Sequence, residues 1–183
     1  MIAGGSEKKA IAMTNKLIEV SPLDGYQMQL RNHRKDKNKE KELETASILS
    51  EKFAQHPQAL LNAGFSYQLH KNYSKALKLF ESASKLKSSE EDDSPVSALY
   101  QIGKTADISE QQTELGIQSL ELYLTKQLTP AMPNKNWARF RLASLYQQKG
   151  EKKKAKNFAE LAGKEKSDKE LKKRVKKLLK KLN

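Results

Sequence analysis

Apolar and small residues recur with a 3.6-residue period along Leu60, Ala63, Gly64 and Tyr67, and again along Ala76, Leu79, Phe80 and Ala83. That spacing lines one face of a helix. The polar break between the two runs, Lys71-Asn72-Tyr73, leaves room only for a tight turn, so the pattern predicts two short amphipathic helices packed antiparallel. Gly64 sits mid-helix, where glycine costs about 1 kcal/mol relative to alanine. With Ala76 and Ala83 it marks the closest crossing of the pair, and Tyr67 and Phe80 fill the space beside it. Close packing then offsets the loss of helix propensity.

The pattern recurs. Residues 99–106, "LYQIGKTA", repeat the Leu, Ile and Gly positions, and Gly116, Leu120 and Tyr123 follow at the spacing of Ala76, Phe80 and Ala83. A third copy carries Ala143, Tyr146, Ala155, Ala159 and Ala162 at the positions of Gly64, Tyr67, Ala76, Phe80 and Ala83. Upstream, Ala10, Thr14, Leu17 and Pro22 have the spacing of a second helix with its terminal proline, as do Thr45, Leu49 and Pro57. The segment between them reads as a degenerate first helix and turn. Downstream, Ser167 is the expected cap of a helix that sets Leu171, Val175, Leu178, Leu179 and Leu182 on one face.

A small residue, two spacers and Tyr, then Ala-x3-Phe-x2-Ala, resembles the tetratricopeptide repeat, a helix pair recurring at about 34 residues. The resemblance covers residues 8–163 and is closest over 57–88. The step from Gly64 to Gly103 is 39 residues and that from Gly103 to Ala143 is 40, so the acidic "SSEEDDSP" (88–95) and "QLTPAMPNKN" (127–136) are insertions. In the acidic insertion, Ser94 and Pro95 read as a helix cap and first helical residue. The resemblance implies an all-α, right-handed superhelix (α-solenoid) of antiparallel helix pairs with a C-terminal capping helix. The whole chain, 1–183, then forms a single domain: degenerate repeats over 6–57, three clearer repeats over 57–163, and a basic capping helix over 167–183. A lone second helix at the N-terminus points to the C-terminal part of a larger protein, the alternative being a native cap helix.

Composition narrows the chemistry. The chain has no cysteine, so disulfides, thiolate metal sites and thiol nucleophiles are excluded. The three histidines, His33, His56 and His70, lie in separate segments, with no metal-ligand spacing and no phosphate-loop or nucleophile-elbow motif elsewhere. These features predict no enzyme, no cofactor, no metal and no small-molecule substrate. No apolar run reaches the roughly 20 residues of a membrane span, and the first residues lack the apolar core of a signal peptide. The reading is a soluble protein, cytoplasmic in preference to periplasmic, with an upstream signal still open. The net charge of +13 is concentrated at the end: residues 149–183 hold fourteen lysines and Arg174 against five acids.

The resemblance implies protein binding along a concave wall lined by the first helix of each pair. By the family's pattern, the wall positions are Gln58, Leu61, Phe65 and Gln68; Ser97, Tyr100, Lys104 and Asp107; and Trp137, Phe140, Ser144 and Gln147, with Arg141 beside the last group. Of the basic residues that grip chaperone C-termini in this family only Arg141 is matched, since Leu61, Phe65 and Trp137 stand where the others belong. Leu61, Phe65, Tyr100, Trp137 and Phe140 form instead an apolar and aromatic stripe with Lys104 and Arg141 as cations, suited to a protein or peptide segment with apolar anchors and an acidic group. The competing function is attraction of nucleic acid or anionic lipid by the lysine-rich terminal helix. That segment has one Phe, one Arg and no Tyr or Trp, which argues against base recognition.

Overall fold

The computed structural model describes residues 3–164 and 168–182, which form ten α-helices and no strand. They divide into two compact units, Met1–Leu86 and Lys87–Asn183.

In the first unit, α1 (Ala3–Val20) precedes two helix pairs, α2 (Pro22–Lys35) with α3 (Lys39–Lys52) and α4 (Pro57–Leu69) with α5 (Tyr73–Lys85). Each helix packs on the next, and α2 also lies against α4. The proline at the head of α2 and of α4 suits a first turn, where its missing N–H would be unpaired in any case. Both intra-pair turns use one device: Lys37 and Lys71 adopt left-handed φ of 56° and 61°, and Asn38 and Asn72 then cap α3 and α5, accepting hydrogen bonds from the Lys41 and Lys75 amides. Of the expected N-terminal stripe, Thr14 is buried and Leu17 half-buried, while the side chain of Ala10 lies outside the described residues.

The crossing of α4 and α5 explains Gly64. A Cβ there would stand 2.5 Å from Cε1 of Phe80, so the ring lies directly on the backbone of α4. The same rule holds at the second crossing, where a Cβ on Gly103 would strike Leu120. Leu60, Ala63, Tyr67, Ala76, Phe80 and Ala83 are all buried as the periodicity predicts, but Leu77 is fully buried where the spacing predicts Leu79, and Leu79 is half-buried.

A buried charge in this unit has no counterpart among the sequence expectations. Glu42 on α3 is 2% exposed; it accepts from Arg34 Nε on α2 at 2.9 Å and lies 2.9 Å from Nε2 of His70, the residue closing α4. Arg34 also donates to Ser66 Oγ at 2.8 Å. Burial alone raises the Glu42 carboxyl, but the hydrogen bonds from His70, Arg34 and Ser66 outweigh it and hold the group below its ordinary 4.5. A depressed carboxylate stabilises the fold above its unfolded-state pKa, and that contribution fades as acid titrates it. Glu42→Gln is therefore expected to lower the urea midpoint at pH 7, by the equivalent of about 1–3 kcal/mol. The gap to wild type should narrow as the pH falls below the ordinary carboxylate range and close once the folded-state carboxyl is protonated. A gap that does not change with pH would show that the charge is not what holds the three helices.

In the second unit, α6 (Ser94–Ser109) pairs with α7 (Thr113–Thr125), α8 (Lys135–Gln148) with α9 (Lys152–Lys164), and α10 (Lys169–Leu182) closes the array. Helices α6, α8 and α10 lie side by side in one layer, with α7 and α9 behind them. Leu99, Ile102, Leu120, Tyr123, Leu142 and Leu145 make the core. Ser94 is the first residue of α6 rather than its cap; its amide donates to Asp92 Oδ1 at 2.9 Å from within the acidic segment. Ser167 lies outside the described residues, and Asp168 caps α10 by accepting from the Leu171 amide at 2.7 Å. Leu171, Val175, Leu178 and Leu182 of α10 are buried and Leu179 is half-buried.

Candidate partner-binding site

Five of the seven expected contact residues meet in the second unit: Tyr100 and Lys104 on α6, and Trp137, Phe140 and Arg141 on α8. Leu61 and Phe65 lie on α4 of the first unit, where Leu61 is 5% exposed and Phe65 is half-buried, edge-on to Phe80 at 5.6 Å.

The second-unit group is built by the long insertion as much as by the helices. The Tyr123 hydroxyl donates to the Pro133 carbonyl, Met132 is buried in the core, and Asn134 caps α8 by accepting from the Asn136 and Trp137 amides at 3.0 and 3.2 Å. This fixes the insertion against the head of α8. A cavity of about 480 Å³ results, lined by Tyr100, Gln101, Lys104, Trp137, Arg141 and Arg174 together with Ala131, Met132 and Pro133.

Its members differ in exposure. Tyr100 is 5% exposed and packs on Tyr123 at 5.5 Å between ring centres, so most of its surface serves the core. Burial raises its hydroxyl pKa, against the pull of Arg141. Trp137 and Phe140 are half-buried and meet edge to face at 6.0 Å. The indole Nε1 donates to Asp168 Oδ2 at 3.1 Å, and the Arg174 guanidinium stands over the indole ring at 5.6 Å. Trp137 thus ties α8 to both the cap and the second turn of α10.

The cations also differ. Arg141 is nearly buried and its Nη1 is paired with Asp107 of α6, which in turn accepts from Gln148. Among the described residues its Nε has no hydrogen-bond partner, and neither has the buried Oε1 of Gln101. Lys104 is half-buried and, among the described residues, faces no carboxylate; burial first, and the Arg141 charge second, push its amine pKa down. Gln101, Arg174 and the Met132–Pro133 turn were not among the expected contacts. Arg174, the one arginine of the terminal segment, carried the only signal.

Among the described residues no helix is long and apolar enough to cross a membrane, and no group of three His, Asp or Glu is placed to hold a metal ion.

Helix pairs stacked with their first helices in one layer and their second helices in another define a helical-repeat protein. The chain has the tetratricopeptide-like repeat fold. It is similar to the nearly identical TPR-like repeats of a kinesin light chain from Podosopora anserina, at 16% identity and a TM-score of 0.59, over 98% of this chain and 90% of that one. A point variant of the same repeats gives 14% identity and a TM-score of 0.61, over 96% and 91%. The MamA RS-1 ArsTM double mutant gives 15% and 0.62, over 89% of this chain and 97% of that one. No family model matches the sequence, and the comparison with curated proteins finds no match. At such identities the likeness is one of fold.

Proposed function

We propose that the protein is a non-enzymatic interaction scaffold that holds a segment of a partner protein against the wall made by α6, α8 and α10. One observation carries this reading. The core under the wall is completed by Leu142 and Leu145, yet Trp137 and Phe140 stand half-exposed above it beside the unpaired Lys104. Aromatic rings with one face packed and one open, next to a cation, are the usual anchors of a protein contact.

A random peptide library displayed on phage tests this. The wild-type chain should enrich binders, and binding of the enriched pool should fall about tenfold or more in Trp137→Ala/Phe140→Ala, the loss expected of two anchors. Because Trp137 also holds α10, Ser144→Trp serves beside it: Ser144 is half-buried on α8 and lines the neighbouring cavity, so a bulky neutral side chain fills the wall without adding charge or removing a packed ring. Enriched peptides that bind both variants as well as wild type would remove this wall as the site.

A further inference from the structure

We infer that the segment held on this wall is acidic, with one carboxylate seated among Lys104, Arg141 and Arg174 and further acids spaced along α10. This rests on the scaffold reading and names its partner's chemistry. Three cations line the cavity. Asp107 balances Arg141, and Glu170 balances Arg174 at 2.8 Å on the exposed face of α10, but among the described residues no carboxylate is paired with Lys104. Lys104 and Arg141 repel each other across a half-buried space, and an incoming carboxylate would relieve that repulsion.

The two orphan atoms point the same way. Arg141 Nε is a donor without an acceptor, and Gln101 Oε1 is an acceptor without a donor. Such groups are costly to leave unmade. An aspartate or glutamate within a peptide offers both complements at once, a carboxylate for the arginine and its own backbone N–H for the glutamine, after small side-chain rotations. A bare anion satisfies only the first.

The cavity continues along α10. Arg174 also lines a second cavity of about 400 Å³ between α8 and α10, together with Phe140, Lys173, Lys177 and Lys181 and a single acid, Glu170. Those three lysines recur every fourth residue, about 6 Å apart along a helix. Alternate residues of an extended peptide repeat at about 6.6 Å. The surface is therefore matched to a segment with acids at every second position. The basic terminal helix and the aromatic wall, rivals in the sequence, form one surface.

The test is fluorescence anisotropy on the full chain at about 0.15 M salt, where long-range attraction is screened beyond about 8 Å. Two labelled peptides of equal length carry one aromatic anchor and either glutamate or glutamine at alternate positions. The glutamate peptide should bind at least about tenfold tighter, and Lys104→Met and Arg174→Gln should each cost about tenfold, as expected for one charge-assisted contact apiece. Lys153→Gln, the same charge change on exposed α9, should cost less than about twofold.

Equal binding of the two peptides, both lost in Ser144→Trp, would overturn the acidic partner and leave the scaffold standing. No binding of either peptide, alongside library binders that depend on the wall, would do the same. An equal loss from Lys153→Gln would reduce the effect to bulk charge and overturn the site. So would tighter binding of a thymidine 20-mer or of vesicles with one-third phosphatidylserine. A dimer by light scattering that dissolves on neutralising Glu90 and Glu91 would replace the partner with a second copy of this chain.

Discussion

Cutting the chain after Lys164 is expected to unfold the second unit. The terminal helix buries Leu171, Val175, Leu178 and Leu182 against α8 and α9. At about 1.5–3 kcal/mol for each buried side chain, the helix contributes on the order of 6–12 kcal/mol as an upper bound. A whole domain has only about 5–15 kcal/mol in hand. Removal also exposes the alanine face of α9 and frees the Trp137 indole from Asp168. The measurement is a circular-dichroism melt of the truncated chain, which should lose helix well beyond the fourteen residues of α10 and aggregate on heating. Exchanging the exposed Lys172, Lys176 and Lys180 for glutamine, with the apolar face intact, should shift the melt by less than a few degrees. If the two changes act alike, the helix owes its place to charge and not to burial. A tail truncation therefore cannot be used to ask what the lysines bind.

Phe80→Ala is expected to destabilise the first unit by about 3–5 kcal/mol, the range for deleting a fully buried aromatic ring. Gly64→Ala gains about 1 kcal/mol of helix propensity but drives a methyl group into that ring, and overpacking of this kind costs about 1–3 kcal/mol. The double variant should be more stable than the sum of the two single changes, because the methyl occupies space the ring has left. The protein contains its own precedent: at the positions equivalent to Gly64 and Phe80, α8 and α9 carry Ala143 and Ala159, both fully buried. Urea unfolding of the four chains gives the cycle. Strict additivity would mean that the ring and the glycine do not share one contact, against the geometry of the crossing.

The fold was legible where a local rule repeats. Gly64, Gly103 and Ala143 stand at steps of 39 and 40 residues, and a small residue at a helix crossing is required by close packing, so their periodicity alone located the pairs. The degenerate pair α2 and α3 was bracketed by Pro22 and Pro57, which the spacing read as closing the preceding helices and which stand at the heads of α2 and α4. The left-handed turns at Lys37 and Lys71 were not legible, since lysine carries no signal for a positive φ.

The candidate site was legible only as a list. Helical spacing put Tyr100, Lys104, Trp137, Phe140 and Arg141 on one layer, but it could not show that Tyr100 spends itself on Tyr123 or that Asp107 already holds Arg141. Those facts depend on partners 23 and 34 residues away. Glu42 was invisible for the same reason: one of three glutamates, with Glu40 and Glu44, in a charged stretch reads as surface until Arg34 and His70 are brought to it.

Arg174 belongs at once to the helix that closes the fold and to the cavity on its open side. Folding and occupancy are then thermodynamically linked. A ligand that contacts Arg174 in this cavity would bind more tightly when α10 is docked, and so would raise the melting temperature of the second unit in proportion to the logarithm of its concentration. An occupant at 100 times its dissociation constant would add about 2.7 kcal/mol, enough to be seen in a thermal-shift plate. The protein's own denaturation can thus report its ligand, with no label and no prior guess at its name.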